Sequence, residues 1–189
     1  MIDHKIGFIG LGNVGSKLAN NILQADYNLF IYDLNKSTSN ELVNKGAVWK
    51  NSVKEIVDNT SLIITCLPSP QAVTEVVESK LGMIENINNK HLWIEMSTTD
   101  EKEMIRLSKL IESKGANVLE APVTGGQHRA ESGNISVLTA GKRENFNRAF
   151  PILSEIGFQI LYCGKLGNAS TLKVVTNYLA SINLLSIGE

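Results

Sequence analysis

Residues 5–33 constrain the fold of this chain more than any other part of the sequence. They begin with a short apolar run, residues 5–9, which is typical of a buried strand. The sequence GLGNVG follows at residues 10–15 and fits the pattern G-x-G-x-x-G, and apolar residues then recur at helical spacing. A second apolar run, residues 29–32, ends at Asp33. This order of strand, glycine turn, helix, strand and acid predicts a βαβ unit that binds a dinucleotide.

Each glycine of the turn has a physical role in this interpretation. Gly10 lets the chain turn sharply out of the strand, Gly12 lets a pyrophosphate approach the backbone amides, and Gly15 lets the helix pack closely on the sheet. The unpaired N–H groups and the positive dipole end of the helix then face the phosphates. The predicted cofactor-binding residues of the turn are Gly10, Leu11, Gly12, Asn13, Val14 and Gly15.

Asp33 predicts which nicotinamide dinucleotide is bound. It lies 18 residues after Gly15, where a carboxylate can accept hydrogen bonds from a ribose 2′-hydroxyl and repels a 2′-phosphate. The next residues, Leu34 and Asn35, supply no arginine to receive such a phosphate, and Lys36 is the one cation nearby. The expected cofactor is therefore NAD, with NADP less favoured.

The composition argues against several other classes of protein. The 189 residues carry 18 basic and 19 acidic side chains, so the charge is balanced and does not favour binding to nucleic acid or to an anionic membrane. No apolar run approaches the roughly 18–20 residues of a membrane span. The cysteines and histidines show no metal-ligand spacing, and no metal is expected. Cys66 and Cys163 are predicted to lie in buried strands as reduced thiols.

The rest of the chain alternates apolar runs with helical segments, which predicts an α/β fold with a doubly wound, mostly parallel sheet. Polar or proline-rich breaks follow three predicted strands at residues 68–70, 97–100 and 122–126, and ligands bind at such strand ends. One long helix is predicted over residues 168–187. Its expected apolar stripe contains Leu172, Val175, Leu179, Ile182 and Ile187. Because no stop signal follows, we expect a truncated chain.

Four stretches together resemble the 3-hydroxyisobutyrate dehydrogenase family of β-hydroxyacid dehydrogenases. They are GFIGLGNVGSKLANNI, which contains the glycine turn, LPSPQAV at 67–73, EAPVTGGQHRAESG at 120–133, and GKLGNASTLKVVTN at 164–177. They occur in the family's order and span nearly the whole chain. The resemblance implies a Rossmann-type NAD(P)-binding domain at residues 1–165 and the start of a long interdomain helix at 166–189. The family's all-helical C-terminal domain would then be absent.

The resemblance also implies an activity. The family consists of oxidoreductases that transfer a hydride between NAD and a small 3-hydroxy acid, such as 3-hydroxyisobutyrate or a related β-hydroxy acid or semialdehyde. We therefore expect a hydroxy acid substrate, no nucleic-acid or membrane partner, and a homo-oligomer at full length. The expected compartment is the cytoplasm, or an organelle matrix if a targeting segment is missing. The 189-residue chain alone should be weakly active or inactive.

The resemblance makes Lys173 the catalytic residue and Asn177 its companion. The two are at positions i and i+4 of the predicted helix, so they lie on one face. Oxidising a hydroxyl requires a group that takes its proton, and a lysine near a cationic cofactor can have a lowered pKa and serve as that base. Without the resemblance, the sequence would favour an ordinary surface lysine at Lys173, because most lysines lie on exposed helix faces.

The resemblance assigns a second set of residues to substrate and cofactor. Thr124, Gly125 and Gly126 would hold the substrate carboxylate, through a hydroxyl and through amides that an anion can approach closely. The further cofactor-side residues are Leu67, Pro68 and Thr98. Arg129 stands where the family has a glycine and adds a cation near the substrate loop, which bears on the identity of the substrate.

Two alternatives remain beside the leading hypothesis. A 6-phosphogluconate dehydrogenase-like enzyme shares the glycine pair and the lysine helix. That family carries a histidine just before the asparagine, where this chain has Thr176, so we rank it lower. The other alternative is a truncated cofactor-binding module without turnover. The presence of Lys173 favours an enzyme over such a module.

Overall fold

Short apolar segments of the sequence form a central sheet in the computed structural model, which describes residues 5–188. Residues 1–4 and 189 lie outside the described part, so the outer ends of the predicted segments 1–165 and 166–189 do too. The strands are β1 (Lys5–Ile9), β2 (Asn28–Tyr32), β3 (Val48–Trp49), β4 (Leu62–Thr65), β5 (Leu92–Glu95), β6 (Asn117–Glu120), β7 (Val123–Thr124), β8 (Ile135–Gly141) and β9 (Gly157–Tyr162).

Helices fill the connections between these strands, and most of them bury one apolar face against the sheet. The α-helices are α1 (Gly15–Gln24), α2 (Asn40–Asn44), α3 (Val53–Asn59), α4 (Pro70–Glu78), α5 (Glu101–Ser113), α6 (Gly126–Glu131), α7 (Arg143–Ile156) and α8 (Asn168–Gly188). Short 3₁₀ turns occupy Lys36–Ser39 and Met83–Glu85. Ser52, Ser69 and Asp100 cap α3, α4 and α5 with side-chain oxygens that accept a backbone N–H.

The sheet order explains where a ligand can bind. The first six strands are parallel in the order β3-β2-β1-β4-β5-β6, and β8 then pairs antiparallel with β6. Strand β7 pairs antiparallel with β8, whereas β9 pairs parallel with it. The predicted doubly wound, mostly parallel sheet is therefore confirmed. The carboxyl ends of six parallel strands meet at one edge, and the glycine turn lies there.

Two hydrophobic clusters cover the two faces of the sheet. On one face, α1 and α7 contribute buried residues such as Leu18, Ile22 and Leu153. On the other face, α3, α4 and α5 pack around the fully buried Trp93. Burial of this kind stabilises the fold by roughly 25 cal/mol per Å² of apolar surface, so both faces contribute to holding the strand ends in place.

Helix α8 differs from the other long helices because most of it is not covered. Within the described residues, its buried positions are Ala169, Ser170 and Lys173. Leu172 packs partly against a small cluster with β8. The rest of the predicted stripe, Val175, Leu179, Ile182 and Ile187, is exposed, and Leu184 and Leu185 on other faces are exposed as well. Beyond Leu172, the predicted apolar stripe is therefore not covered by the described part of the chain.

Two smaller predictions also differ from the structure. Cys66 and Cys163 lie just past the ends of β4 and β9, and both are partly buried rather than enclosed in strands. The predicted break at residues 122–126 contains the short strand β7. Two residues are too few to give a periodic signal in the sequence.

No helix among residues 5–188 is both long and apolar enough to pass through a bilayer.

Candidate functional site

The glycine turn follows a backbone path that requires glycine at its first position. Gly10 has φ +98°, and a Cβ there would lie 2.3 Å from the carbonyl oxygen of Cys66. The Gly10 N–H donates to the carbonyl of Tyr32 at 3.0 Å. A Cβ on Gly15 would lie 2.1 Å from the Gly10 carbonyl oxygen, so α1 can start this close only with glycine. The turn is therefore fixed between the ends of β2 and β4.

The amino end of α1 presents unused donors to open space. Within residues 5–188, the N–H groups of Gly12, Asn13 and Val14 donate no hydrogen bond. Val14 is the N-cap residue, no side chain caps the helix, and its first turn contains no acid. A Cβ built on Gly12 would meet nothing within 4 Å. Free donors, the positive end of the helix dipole and open space together fit a diphosphate group.

Asp33 is held at the rim of this space by two backbone amides. Its Oδ2 accepts the Leu11 N–H at 2.6 Å and its Oδ1 accepts the Asn35 N–H at 2.8 Å. Each carboxylate oxygen keeps a lone pair for another donor. The nearby cation is Nζ of Lys36, which lies over the ring of Trp49 at 5.8 Å from the ring centroid. The side chain of Leu11 is buried, so Leu11 contributes chiefly by positioning Asp33.

A cleft of about 730 Å³ runs along the carboxyl ends of β1, β2 and β4. The predicted cofactor residues that line it are Gly10, Gly12, Asn13, Val14, Gly15, Asp33, Leu67 and Pro68. Thr98 does not line it, and Leu11 lines a smaller neighbouring cavity. Residues that the sequence analysis did not identify form an apolar wall: Val53, Ala72, Val76 and Leu81. The helix after the proline break at 68–70 was the available signal for part of this wall.

A buried hydrogen-bond network links the loops that follow β4 and β5. The Leu67 N–H donates to Ser97 Oγ at 2.8 Å, and the Ser97 N–H donates to Glu95 Oε1 at 2.5 Å. The Thr65 hydroxyl donates to the other oxygen of Glu95, and the Trp93 indole N–H donates to Thr65 Oγ1 at 2.8 Å. Burial raises the pKa of Glu95 to about 7. The network holds Leu67, which lines the cleft, and Ser97, which precedes exposed Thr98 in the chain.

The predicted substrate loop begins at the end of β7. Gly125 and Gly126 have φ of +132° and +75°, values that favour glycine. A Cβ on Gly125 would lie 2.8 Å from Cδ of Arg129, so the stem of that arginine covers the glycine. These residues, together with Thr124, lie outside the 730 Å³ cleft. Thr124 belongs to β7, which contacts α8.

Lys173 is a buried lysine on the covered turn of α8. Its side chain makes no hydrogen bond or ion pair with another residue in the described part of the chain, and it is only 9% exposed. Burial lowers the pKa of Lys173 below the ordinary lysine value. Asn177 follows one helical turn later and is exposed. The helix packs against β8 and against β7, the strand that contains Thr124.

Glu120 begins one of the four stretches that resemble the family, but the sequence analysis gave it no role. It is fully buried at the end of β6 and accepts hydrogen bonds from the first turn of α8. The available signal was an acid inside an apolar strand, a position that charged residues occupy only when they are paired or hydrogen-bonded. Glu95 shows the same signal in β5 and is Glu120's partner in the strand register.

Comparison with known proteins places this geometry in a family. The profile described as the NAD binding domain of 6-phosphogluconate dehydrogenase matches residues 5–164. The chain therefore belongs to this family of NAD-binding domains.

Individual relatives carry the similarity over nearly the whole chain. The chain is 33% identical to mitochondrial 3-hydroxyisobutyrate dehydrogenase of Mus musculus, over 97% of this chain and 55% of that protein. It is 34% identical to chloroplastic glyoxylate/succinic semialdehyde reductase 2 of Arabidopsis thaliana, over 97% of this chain and 51% of that protein. The resemblance to 3-hydroxyisobutyrate dehydrogenases is confirmed, and the chain spans about half the length of these relatives.

A solved structure shows the same fold. The Mycobacterium tuberculosis 3-hydroxyisobutyrate dehydrogenase with L-serine aligns with a TM-score of 0.92 at 26% identity, over 99% of this chain and 63% of that one. This agreement confirms the Rossmann-type α/β class that the sequence predicted.

Proposed function

We propose that this chain binds NAD and forms the cofactor-binding part of a dehydrogenase that acts on a small 3-hydroxy acid, such as 3-hydroxyisobutyrate or a related β-hydroxy acid or semialdehyde. The observation that carries the proposal is Lys173, a buried lysine without an ionic partner in the described part of the chain. Membership of a family of NAD-binding domains and similarity to 3-hydroxyisobutyrate dehydrogenases support the same function.

The open donors at the start of α1 are the proposed diphosphate site. The N–H groups of Gly12, Asn13 and Val14 would receive the phosphates, and Asp33 would accept ribose hydroxyls and favour NAD over NADP. The other residues proposed for the cofactor are Gly10, Leu11, Gly15, Leu67, Pro68 and Thr98. Bound NAD would supply the acceptor for the hydride that leaves the substrate.

The proposed role of Lys173 is proton transfer with the substrate hydroxyl. A lowered pKa increases the neutral fraction of its amine, which is the form that accepts the hydroxyl proton. Asn177, one turn along α8, would orient the same hydroxyl. The Thr124 hydroxyl and the amides of Gly125 and Gly126 would hold the substrate carboxylate.

The two alternatives make different use of the same residues. A cofactor-binding module without turnover would have no use for a lysine kept buried at energetic cost. A 6-phosphogluconate dehydrogenase-like activity is disfavoured by Thr176, whose hydroxyl donates to the Lys173 carbonyl at 2.9 Å inside the helix.

The decisive experiment measures turnover after the chain is completed with the C-terminal part of a 3-hydroxyisobutyrate dehydrogenase. Lys173→Ala should lower kcat by about 10²–10⁴-fold, the usual contribution of a positioned acid–base group. Oxidation by the unsubstituted enzyme should rise with pH through a pKa below the ordinary lysine value, because the neutral amine is needed. That rise should disappear in Lys173→Ala.

Lys173→Arg is the matched charge-conserving variant. It should be almost as impaired, because a guanidinium does not release its proton near neutral pH. NAD affinity should stay within about twofold in both variants, since the phosphate and ribose contacts lie elsewhere, and a twofold change is only about 0.4 kcal/mol. Near-normal kcat in Lys173→Ala with an unchanged pH profile would refute the assignment.

The remaining proposals concern organisation and surroundings. We propose an NAD-binding unit at residues 1–165, an interdomain helix from 166, and a homo-oligomer at full length. The exposed apolar residues of α8, among them Leu184 and Leu185, support the association. The proposed compartment is the cytoplasm or an organelle matrix, and the two relatives described above are mitochondrial and chloroplastic.

A further inference from the structure

The first turn of α8 is capped by the side chain of Glu120, which lies at the end of the interior strand β6. Oε1 of Glu120 accepts the N–H of Gly167 at 2.5 Å and the N–H of Ala169 at 3.1 Å. Oε2 accepts the N–H of Ser170 at 3.2 Å and the Ser170 hydroxyl at 2.7 Å. Four donors from one helix start therefore converge on one carboxylate, and Glu120 is fully buried.

This arrangement is a tertiary cap rather than a local one. Helix starts normally satisfy their free N–H groups with a side chain two or three residues away, or with water. Here the partners are 47 to 50 residues apart. The capping residue belongs to β6. Because β6 pairs with both β5 and β8, it is held on both sides as part of the sheet. The start of α8 is thus attached directly to the rigid part of the molecule.

Lys173 follows the capped residues closely along α8. Lys173 lies three residues after Ser170, about 4.5 Å further along the helix axis and on the same face. Ala169, Ser170 and Lys173 are the buried residues of α8. Glu120 lies only four residues before Thr124 on the chain, so one carboxylate connects the lysine helix with the strand segment that leads to the substrate loop.

We infer that Glu120 is a positioning residue, which fixes the height and rotation of α8 so that Lys173 is held buried beside the Thr124 loop. The inference rests on the proposed function only for its catalytic consequence. Its structural part concerns the isolated chain and can be tested there.

The charges around Glu120 are consistent with an indirect role. Glu95 is its register neighbour, and the Cys163 thiol lies close enough for the Glu120 charge to raise the pKa of that thiol, after burial as the larger cause. Burial raises the pKa of Glu120, whereas its four donors favour the ionised form. The lowered pKa of Lys173 has burial as its cause. A change at Glu120 should therefore alter the pKa of Lys173 by changing how deeply the lysine is buried. Loss of an attraction between the two charges should not be the cause.

The test uses the 189-residue chain with ¹³C-labelled lysine, in which Lys173 is assigned from the spectrum of Lys173→Arg. In Glu120→Gln, the pKa of Lys173 should move up toward the ordinary lysine value, because the loosened helix exposes the amine. Amide exchange of residues 171–174 should accelerate by about tenfold or more, as in a locally opened helix end. Glu120→Asp, which keeps the charge, should be intermediate.

Asn145→Ala is the matched control. Asn145 is buried, and its Nδ2 donates to the Val118 carbonyl at 2.9 Å, so it is attached to the same strand from another helix. This variant should lower stability but leave the Lys173 titration unchanged. Ser170→Ala removes one donor only and provides a milder variant with the same readouts, should Glu120→Gln fail to fold.

The catalytic consequence is measured in the completed enzyme. Glu120→Gln should lower kcat by about a hundredfold, the effect of a misplacement near 1 Å, while NAD affinity stays unchanged. The inference is overturned if Glu120→Gln and Ser170→Ala lower the melting temperature but leave both the Lys173 titration and the exchange of 171–174 as they were. Failure of the proposed function gives a different result, namely full turnover in Lys173→Ala.

Discussion

Helices α1 and α8 both begin at the carboxyl edge of the same sheet, yet their amino ends are treated in opposite ways. At α1 the N–H groups of Gly12, Asn13 and Val14 have no acceptor within the described chain, and they face a cleft. At α8 the equivalent donors converge on the buried carboxylate of Glu120. One helix start is left open for an external anion, and the other is closed by an internal one.

The difference shows how one physical property supports two functions. A helix amino end attracts negative charge through its free donors and its dipole, whichever molecule supplies the charge. Where the protein supplies the carboxylate, the helix start is fixed to the sheet, as at the helix that carries Lys173. Where the protein supplies none, the donors remain available to the anion of a ligand.

The first prediction is that Glu120, and not Glu95, carries the negative charge at the start of α8. Glu95 and Glu120 are adjacent and buried, so ionising both is unfavourable. Glu120 has four donors and should ionise first, which leaves the proton on Glu95, whose pKa is raised to about 7 mainly by burial. Glu95 therefore binds a proton more tightly in the folded chain than in the unfolded one, where its pKa is near 4.5.

The sign of the resulting pH dependence follows from linkage. Between about pH 5 and 7 the folded state holds the Glu95 proton and the unfolded state does not, so this contribution to stability is lost as pH rises. The loss should approach roughly 3 kcal/mol above pH 7. Urea unfolding from pH 5 to 8 should show it as the difference between the unsubstituted chain and Glu95→Gln, which has no such proton.

The same experiment can contradict the charge assignment. If Glu120→Gln, and not Glu95→Gln, removes the slope between pH 5 and 7, Glu120 holds the proton and the closed end of α8 is neutral. Amide exchange of residues 171–174 should also distinguish the two variants, since it should accelerate only when Glu120 is changed.

The second prediction concerns the acid that belongs to the open helix end. Asp33→Asn keeps one acceptor oxygen and the shape of the side chain but removes the charge. NAD binding should weaken by about 1.5–3 kcal/mol, or roughly ten- to hundredfold, through the loss of a charged acceptor. NADP binding should weaken less, because the repulsion of a 2′-phosphate is removed. Calorimetric titration of both cofactors measures the gap.

Asp33→Ala is the comparison variant, because it also releases the Leu11 and Asn35 amides that the carboxylate holds. It should lose more affinity for both cofactors than Asp33→Asn does. Equal binding of NAD and NADP by the unsubstituted chain would show that Asp33 does not discriminate.

The two helix ends also differ in how far the sequence predicts them. The open end is encoded within 29 consecutive residues, where the spacing of glycines and the position of Asp33 fix the strand, turn and helix directly. The strands β1 and β2 therefore appear within one residue of their predicted limits. Local pattern is sufficient when a site is built from a local pattern.

The closed end depends on contacts that no local pattern encodes. Glu120 and the start of α8 are separated by about 50 residues, and the sequence showed only an unexplained acid in an apolar strand. The contact lies where β8 pairs antiparallel with β6, and hydrophobic periodicity does not show the direction of a strand. A stripe of apolar residues likewise predicts the apolar face of α8 but does not show which residues would cover it.

The third prediction concerns a substitution that adds a carboxylate to the open start of α1, so that it resembles the capped start of α8. Asn13→Asp places a carboxylate beside the free donors at the start of α1, where Asn13 is exposed and lines the cleft. The charge should stabilise the chain without ligand by about 0.3–1 kcal/mol through the helix dipole. The same charge should repel the diphosphate and weaken NAD binding about tenfold, which corresponds to roughly 1.4 kcal/mol.

The matched control is Asn20→Asp, which makes the same charge change on the same helix about 10 Å further along. Because most of the field at the helix start does not reach this far, NAD binding should change by less than about twofold. Thermal unfolding and NAD titration at low and high salt measure both effects, and the loss of affinity should shrink at high salt because exposed charges are screened. If Asn13→Asp leaves NAD binding unchanged, the open donors of α1 are not the diphosphate site, and the contrast between the two helix ends loses its functional meaning.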